Sequence, residues 1–482
     1  MTLSLSPPSS VPFLSPHKHP LPFRLKTHAV ALQTSLDPPV SLTSSNSKKT
    51  GVIVIGAGLA GLAAAKRLHS ENIPFLLLEA SDDVGGRVRT DLVDGFLLDR
   101  GFQIFITAYP EAQRLLNYEA LNLRKFYSGA LVYFDGKFYT VADPIRHFSD
   151  SIKSLSNPIG SVLDKLLIGL TRIQVLGKSD EEILSGRESN EVPTLEFLKQ
   201  SGFSDSIIDR FFRPFFGGIF FDKELQTTSK LFNFIFKCLA LGDNTLPATG
   251  ISAIPKQLAD NLPSDSIFLN SKVVSINFNG LGSPEVFLEN GDTVKSELGV
   301  ILAVEQPEVR KILAGKVAVE PVEAKPARST VCLYFSADPD KIPVKDPVLF
   351  LNGSGRGIVN NMFFATNVAE TYGPPNKALA SVSLIGLFED VSDDDLTGRV
   401  VQELSGWFKE SMVKSWKHLR TYRIRYAQPD QSPPTNLMKN PRLGPGLYMC
   451  GDHQTSATFD GALVSGRKAV EALLRDMALS KV

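Results

Sequence analysis

The fold of this chain is decided by the stretch Val52-Ile53-Val54-Ile55-Gly56-Ala57-Gly58-Leu59-Ala60-Gly61. Residues 52–55 are apolar and β-branched, which is typical of a buried parallel strand. The glycines that follow have the spacing GxGxxG: the first permits a tight turn, and the second lets the backbone approach a pyrophosphate. The third lets a helix, predicted over Leu59–Leu68, pack closely against the strand. The stretch therefore predicts a Rossmann-type unit whose loop, residues 56–61, holds the pyrophosphate of a dinucleotide.

The next segment supports this interpretation. Residues 73–78 predict a second apolar strand, which ends on Glu79 about twenty residues after the turn. A carboxylate at that distance suits the ribose hydroxyls of an adenine nucleotide and opposes a 2′-phosphate. GxGxxG alone is also compatible with a purely structural glycine-rich turn. Strand, helix and acid together favour the dinucleotide site.

Two glycines and two arginines follow the ribose carboxylate, in the segment Ala80-Ser81-Asp82-Asp83-Val84-Gly85-Gly86-Arg87-Val88-Arg89-Thr90. This pattern resembles the GGR motif of the flavin amine oxidase superfamily, which includes protoporphyrinogen oxidases, carotene desaturases and carotenoid isomerases. Residues 95–104 are similar to the family's segment beside the isoalloxazine ring. The resemblance implies that the cofactor is FAD. It adds these residues to the predicted cofactor contacts: Ala80, Gly86, Arg87, Gly101 and Phe102.

The other end of the chain resembles the family's second flavin motif. Residues 446–450 predict a strand that ends at Gly451-Asp452, and Gly461-Ala462 lie at the start of the last helix. An aspartate after a strand can bond a ribityl hydroxyl or reach phosphate through water. Free N–H groups at a helix start stabilise the anionic N1/O2 edge of reduced flavin. Strands similar to those that complete the domain lie between the two ends and place Val273 at the adenine.

The expected fold class is therefore α/β: a Rossmann-type FAD-binding domain with an interleaved α+β substrate domain, as in two-domain amine oxidase and glutathione-reductase-like folds. We expect a discontinuous FAD-binding domain of residues 50–130, 245–315 and 420–482. The substrate domain is expected to comprise residues 131–244 and 316–419.

Composition excludes several classes of protein. The 482 residues are 43% hydrophobic and carry 51 basic and 51 acidic side chains, so no bulk field favours nucleic acid. The histidines lack metal-ligand spacing, and no metal is predicted. Cys238, Cys332 and Cys450 form no CxxC pair and are expected to be reduced core thiols. No run of about eighteen apolar residues predicts a transmembrane segment.

The first 49 residues differ from the rest. They are rich in Ser and Pro, with five basic residues and one acid, Asp37. The prolines interrupt both a secretory apolar region and an amphipathic presequence helix, so we expect a disordered plastid transit peptide. The alternative is a simple disordered tail. The expected location is the chloroplast, in the stroma or peripheral to plastid membranes.

Two features of the middle of the chain bear on the substrate. Nine phenylalanines between Phe211 and Phe236 either line a tunnel for a long apolar or planar conjugated substrate or pack a helical core. The glycine-rich segment Gly353–Gly357 predicts a hairpin turn and not a second nucleotide loop, because extended residues flank it.

Together these features predict an FAD-dependent oxidoreductase, of desaturase, oxidase or isomerase type, that acts on an apolar conjugated substrate such as an isoprenoid or a tetrapyrrole. FAD is expected to be noncovalent, with oxygen or a quinone as electron acceptor. No catalytic side chain is assigned: Lys325 and Arg328 lie where amine oxidases place a lysine, without a match. The alternatives are a peroxide-releasing flavin amine oxidase and a non-catalytic FAD-binding structural or regulatory protein. The basic apolar stretch Phe232–Leu241 is a candidate for peripheral contact with a plastid membrane or lipid particle.

Overall fold

The described part of the chain begins at Lys48, with a strand. A computed structural model describes residues 48–143, 145–147, 157–185, 191–278, 284–314 and 325–479. The predicted leader lies outside the described residues except for Lys48 and Lys49, which already belong to a strand that continues to Ile55. That strand is longer than predicted because Lys48–Thr50 pair with Val294–Ser296 of a neighbouring strand.

The described residues form strands and helices with the following bounds. The strands are β1 Lys48–Ile55, β2 Phe75–Leu78, β3 Thr90–Val93, β4 Phe96–Asp99, β5 Phe105–Ile106, β6 Leu123–Lys125, β7 Gly129–Phe134, β8 Lys137–Ala142, β9 Asn244–Pro247, β10 Ile267–Phe268, β11 Val273–Asn277, β12 Glu285–Leu288, β13 Thr293–Leu302, β14 Arg328–Ala337, β15 Leu349–Asn352, β16 Val359–Phe364, β17 Ala378–Ile385, β18 Lys417–Gln428, β19 Arg442–Gly444 and β20 Leu447–Met449. The helices are α1 Leu59–Ser70, α2 Pro110–Leu115, α3 Tyr118–Leu121, α4 Val162–Leu176, α5 Asp180–Ser185, α6 Thr194–Gln200, α7 Asp205–Ile207, α8 Arg213–Phe220, α9 Ser229–Leu241, α10 Ala253–Ala259, α11 Gln306–Leu313, α12 Ala365–Val368, α13 Asp393–Trp407, α14 Glu410–Val413 and α15 Phe459–Leu479, with a π-helical turn over Ile208–Phe212.

The first sheet contains the predicted Rossmann unit. Its strands follow the order β10-β2-β1-β13. On the side of β13 that faces away from β1, β12 pairs with residues 293–295 and β20 pairs with residues 300–302. β10, β2, β1, β13 and β20 are parallel, so their carboxyl ends meet at one edge. That edge brings together the loop after β1, the residue after β2 and the turn after β20.

Two helices from opposite ends of the chain cover this sheet. α1 is rich in alanine, a strong helix former, and buries Leu62, Ala63, Ala64 and Ala65. It packs so closely on α15 that a Cβ on Gly466 would stand 2.1 Å from the carbonyl oxygen of Ala60. The N-terminal and C-terminal segments are therefore parts of one packed layer.

The second sheet has seven strands in the order β18-β14-β17-β16-β15-β7-β8. All neighbours are antiparallel except β15 and β7. One face is covered by α13, whose buried Leu396, Val400 and Leu404 recur every four residues. β15 and β16 form the predicted hairpin, with Phe350 opposite Met362, so the glycine-rich segment between them is a turn as expected.

Among the residues that the structure describes, no helix combines the length and the apolar character needed to cross a membrane.

Candidate functional site

The glycines of the loop after β1 differ in what surrounds them. Gly56 has φ of +101°, a backbone conformation that favours glycine. A Cβ on Gly61 would lie 1.9 Å from the Gly56 carbonyl oxygen, so only glycine lets α1 start this close to β1. Around Gly58, by contrast, a Cβ would meet no atom within 4 Å. The loop is therefore packed on one side and open at Gly58, as the approach of a phosphate requires.

The start of α1 fits an anion. Its N-cap is Gly58, which provides no side-chain cap, and its first turn carries no acidic residue. The first N–H groups of a helix have no partner within the helix, and the helix dipole places partial positive charge there. This donor set matches the pyrophosphate of a dinucleotide.

Glu79 lies next to this loop with capacity to accept further hydrogen bonds. Its Oε2 accepts from the Ala57 amide at 2.7 Å, and its Oε1 accepts from the amide and hydroxyl of Ser81 at 2.9 and 2.8 Å. A carboxylate accepts about four hydrogen bonds. The geometry therefore leaves room for a ribose hydroxyl at Glu79.

The predicted adenine end lies beside Glu79. Asn270 and Ser271, just before β11, donate their amides to the carbonyl oxygens of Ser81 and Glu79 at 2.9 and 2.7 Å. Val273 opens β11 and is buried, whereas Ala80 is exposed. The structure thus brings Val273 and Ala80 to the ribose side of the loop.

The second glycine-rich segment packs against the first. The Gly85 amide donates to the Ala57 carbonyl oxygen at 2.8 Å. Gly86 has φ of +59°, and a Cβ there would stand 3.4 Å from the Gly58 Cα. The predicted GGR segment therefore approaches the loop at its open position and carries Arg87 onward to the other half of the site.

Arg87 and Asp452 join the two ends of the chain, 365 residues apart. Arg87 Nη1 and Nη2 donate to Asp452 Oδ2 and Oδ1, both at 2.8 Å, and Nη1 also donates to the Ala427 carbonyl oxygen. Burial acts to raise the pKa of Asp452, but the charge and hydrogen bonds of Arg87 outweigh it and hold that pKa below its usual range. The carboxylate is therefore ionised and paired with a cation of the protein itself.

This pairing changes the role expected for Asp452. The sequence predicts a bond from its carboxylate to a ribityl hydroxyl or phosphate, yet both oxygens already accept from Arg87. Lone pairs remain on each oxygen. The structure adds a second role: Asp452 orients Arg87. The sequence predicts both residues as cofactor contacts but not the contact between them.

The start of α15 also differs in detail from the prediction. The Gly461 amide is not free: it donates to Thr458 Oγ1 at 2.8 Å, so Thr458 caps the helix. A Cβ on Gly461 would lie 2.0 Å from the Ser456 carbonyl oxygen, so glycine is required here for close packing. Ala462, one residue later, lines the cavity described below.

Gln431 is a site residue that sequence reasoning missed. Its Nε2 donates to the Thr455 carbonyl oxygen at 2.6 Å, and its Oε1 accepts from the Ala457 amide at 2.8 Å. The side chain is 4% exposed and braces the loop between β20 and α15. No sequence motif marks Gln431. The helix cap at Thr458, by contrast, could have been predicted, because a threonine three residues before Gly461 has the spacing of an N-cap.

A cavity of about 200 Å³ lies where these segments meet. Six predicted cofactor residues line it: Leu59, Arg87, Gly101, Phe102, Asp452 and Ala462. The other predicted cofactor residues lie outside its lining. Most of them lie along the loop after β1 and on its ribose side, whereas Gly451 follows β20 and Gly461 lies in the first turn of α15. The rest of the wall is largely apolar and comes from β5, α8, α9, β15 and β18, including Ile106, Phe215, Ile219, Ile235, Leu349, Leu351 and Ile424.

The phenylalanines between Phe211 and Phe236 divide between the core and the wall of the cavity. Phe212, Phe216 and Phe232 are at most 1% exposed and pack against one another in the core. Phe215 and Phe221 line the cavity.

Lys325 and Arg328, in the region where amine oxidases place a lysine, lie outside the lining of the cavity. Lys325 is exposed and donates to the Ser432 and Pro434 carbonyl oxygens. Arg328 pairs with Asp430 at 3.0 Å. Neither lines the cavity.

The chain matches known proteins over most of its length. The family model described as flavin containing amine oxidoreductase matches residues 59–474. The 15-cis-phytoene desaturase, chloroplastic/chromoplastic, of Capsicum annuum is 23% identical over 90% of this chain and 79% of that protein. Protoporphyrinogen oxidase 2, chloroplastic/mitochondrial, of Arabidopsis thaliana is 27% identical over 47% of this chain and 50% of that protein.

The fold has a counterpart among solved structures. A putative protoporphyrinogen oxidase from Exiguobacterium sp. superposes with a TM-score of 0.64 at 18% identity, covering 90% of this chain and all of that chain.

Proposed function

This chain belongs to the flavin-containing amine oxidoreductase family, and we propose that it oxidises an apolar conjugated substrate, such as an isoprenoid or a tetrapyrrole, in the plastid. Family membership and the matching fold confirm three predictions: the family, the two-domain α/β fold class and an FAD-dependent oxidoreductase. The observation that carries the substrate proposal is the largely apolar cavity beside Arg87, Gly101 and Phe102. Its walls suit an apolar ligand, because the transfer of apolar surface from water into such a cavity is favourable.

The cavity is poorly suited to an amine. A free carboxylate is a strong partner for a cationic amine, yet the one carboxylate among the described lining residues, Asp452, is paired with Arg87. The same lining contains no lysine or histidine. These features favour the conjugated substrate over the flavin amine oxidase alternative.

The chain's contribution to the reaction is binding, orientation and exclusion of water. When bound, FAD supplies the acceptor for a hydride or its equivalent from the substrate. Arg87, held by Asp452, fixes a positive charge at the cavity wall. Phe102, Phe215 and Leu351 exclude water from the reacting carbon. Asp452, the carboxylate of the described lining, is a weak base because Arg87 binds both of its oxygens and lowers its pKa. Oxidation at carbon without prior proton removal therefore suits this wall best.

Several observations support noncovalent FAD and a plastid location. Cys238, Cys332 and Cys450 are all buried and none lines the cavity, so no thiol stands ready to attach a flavin. Burial raises the pKa of all three thiols, which keeps them protonated and unreactive. The named relatives from Capsicum annuum and Arabidopsis thaliana are described as chloroplastic, which agrees with the leader-like composition of residues 1–49.

The test is anaerobic reduction of the purified holoprotein. We expect a flavin absorption spectrum and its bleaching by a plastid pigment and lipid extract, with an oxidised product recovered by chromatography. Bleaching by polyamines, with peroxide on admission of oxygen, would instead identify an amine oxidase. Bound flavin that no extract or amine reduces would support the non-catalytic FAD-binding protein, and a colourless protein would contradict the proposal.

We also propose that the protein contacts a lipid surface, through a face different from the one predicted. Within Phe232–Leu241, Phe232 and Phe234 are at most 1% exposed, so that stretch is mainly core. The exposed apolar surface lies on α4, and we call it the α4 face: Leu163, Leu166, Leu170 and Ile173 are 54–69% exposed, with Ile145 and Leu241 also exposed.

The α4 face is joined to the cavity wall. Arg172 of α4 donates to the Ala240 carbonyl oxygen at 2.6 Å and pairs with Asp143 at 2.9 Å, which fixes α4 against α9. α9 carries Ile235 into the cavity lining. A lipid surface at the α4 face would thus lie one helix away from the site of an apolar substrate.

Flotation with liposomes of plastid lipids tests this contact. The wild type should float, and the double variant Leu166→Asp/Leu170→Asp should remain in the dense fraction. Leu92→Asp, at an apolar side chain that is 73% exposed on β3, is the matched control and should float. The proposal would be contradicted if the double variant still floated. It would also be contradicted if the wild type did not float and formed a dimer, because the α4 face would then contact a second copy of the chain.

A further inference from the structure

Two adjacent asparagines lie in the middle of the apolar second sheet. Asn360 and Asn361 of β16 are 5% and 1% exposed. They are neighbours in a strand whose other residues, including Met362 and Phe363, are apolar. Buried amides are costly unless their donors and acceptors are satisfied, so each needs an explanation.

The orientation of both amides follows from their hydrogen bonds. Asn360 Nδ2 donates to the Pro214 carbonyl oxygen at 2.9 Å and to Asn361 Oδ1 at 2.8 Å. Turning Asn361 would place two donors face to face, and turning Asn360 would leave the Pro214 oxygen without its donor. The donor group of Asn361 therefore points away from Asn360.

The backbone of α8 is adapted to this arrangement. A Cβ on Gly218 would stand 2.9 Å from both Asn360 Nδ2 and Asn361 Oδ1. Glycine at this position lets the two side chains occupy the space beside the helix. The amide pair is thus a built feature of the wall where α8 and β16 meet.

One polar atom of the pair is left over. Asn361 Nδ2 is buried and has no hydrogen-bond partner among the described residues. Asn361 lines the cavity together with Phe215, Gly218 and Leu351. None of these residues was predicted to hold the cofactor. Asn361 therefore belongs to a part of the wall outside the predicted cofactor contacts, and its donor without a partner lies beside the cavity.

We propose that Asn361 donates a hydrogen bond to an oxygen acceptor on the substrate, so that the enzyme acts on an oxygenated conjugated molecule and not on a pure hydrocarbon. This inference rests on the proposed function and narrows its substrate class. Ketones, quinones and carboxylates of isoprenoid or tetrapyrrole origin share the required acceptor oxygen. A polar donor in an apolar site discriminates strongly against an analogue that lacks the acceptor, because the donor then loses its partner.

The test compares two probes of equal size. β-Ionone is a compact conjugated ketone, and its methylene analogue replaces the carbonyl oxygen with a CH₂ group. Calorimetric titration of the holoprotein should show about tenfold tighter binding of the ketone. Asn361→Leu should remove this preference by weakening the ketone alone. Asn361→Asp keeps the acceptor for Asn360 Nδ2, removes the donor, and should weaken the ketone further; it also provides the test if the leucine variant fails to fold.

Ser383→Ala is the matched control. Ser383 lies opposite Asn361 in β17, is 1% exposed and also carries a polar atom without a described partner, yet it does not line the cavity. Its substitution should leave the preference unchanged. Equal affinities of the two probes for the wild type, or an equal loss of both in Asn361→Leu, would overturn the inference.

The outcome is separable from that of the proposed function. Calorimetry reports the probe preference even if no extract reduces the flavin. If the holoprotein is bleached by conjugated hydrocarbons and not by oxygenated fractions, the oxidoreductase proposal stands and the inference about Asn361 fails. Separate quinone and tetrapyrrole carboxylate fractions then distinguish the sources of the acceptor.

Discussion

The loop after β1 and the wall formed by α8 and β16 each contain a glycine that is required because another part of the chain packs against its Cα. At Gly61 the close neighbour is Gly56, five residues away in the same loop. At Gly218 the close neighbours are Asn360 and Asn361, more than a hundred residues away. A local contact leaves a recognisable spacing in the sequence, whereas a contact between distant segments leaves none. The cofactor side of the site is therefore readable as a motif, and the substrate side is not.

The strongest way to break the first region is Gly61→Leu. Since a Cβ at this position would already stand 1.9 Å from a backbone oxygen, we expect complete loss of flavin binding. The absorbance ratio of flavin to protein after gel filtration measures it. Gly398→Ala is the control, because Gly398 lies within α13 with no atom within 4 Å of a new Cβ. It should retain flavin and gain about 0.5–1 kcal/mol of stability.

Arg87→Met tests the connection between the two ends. It leaves the Asp452 carboxylate buried without its partner and should lower the free energy of unfolding by about 3 kcal/mol. Because the pKa of Asp452 is lowered in the folded protein, the loss should be full at neutral pH and shrink as the pH falls through the folded pKa. Urea unfolding across pH measures both. Arg425→Met, which removes an exposed ion pair with Glu389, should cost less than about 1 kcal/mol.

Asp99→Asn tests a residue that connects the cofactor side of the site with the substrate side. Asp99 precedes the flavin-side segment at Gly101 and accepts from Thr90 and the Ile251 amide at 2.6 and 3.0 Å, and from Tyr372 of the substrate side at 2.8 Å. Burial raises its pKa to about 6. The folded form then binds a proton that the unfolded form releases near pH 4, so wild-type stability should fall by about 2–3 kcal/mol between pH 4 and 7 relative to the variant. A parallel pH dependence in both proteins would contradict this; Asp94→Asn, at an exposed turn, is the control.

The smallest expected effect comes from the second region. Gly218→Ala adds a methyl group 2.9 Å from two flexible side chains, which can shift, so we expect about 1–2 kcal/mol of destabilisation. Flavin content should stay unchanged while ketone affinity falls, because the Asn361 amide is displaced. Loss of flavin in this variant would show that the two regions are not separable.

The elements that could be predicted share one property: the sequence pattern that indicates each of them lies within a single continuous stretch of the chain. β1, α1, β2, the hairpin of β15 and β16, and the start of α15 were recognisable from apolar runs and glycine spacing. Gln431 and Asn361 were not, because their roles arise only when β16, α8 and the loop before α15 meet. The sequence alone places the polar start of β1 in the leader, because Lys48 becomes part of a strand only through pairing with β13.

The ion pair between Arg87 and Asp452 also has a consequence for the order of assembly during synthesis. About 400 residues separate Gly61 from the start of α15, and a ribosome that adds 5–20 residues per second needs roughly 20–80 s to translate them. Throughout that interval the nascent Rossmann loop lacks both its covering helix and the aspartate that orients its arginine. Tight retention of the cofactor thus belongs to the finished polypeptide, and a chain released early would carry the motif without holding the flavin.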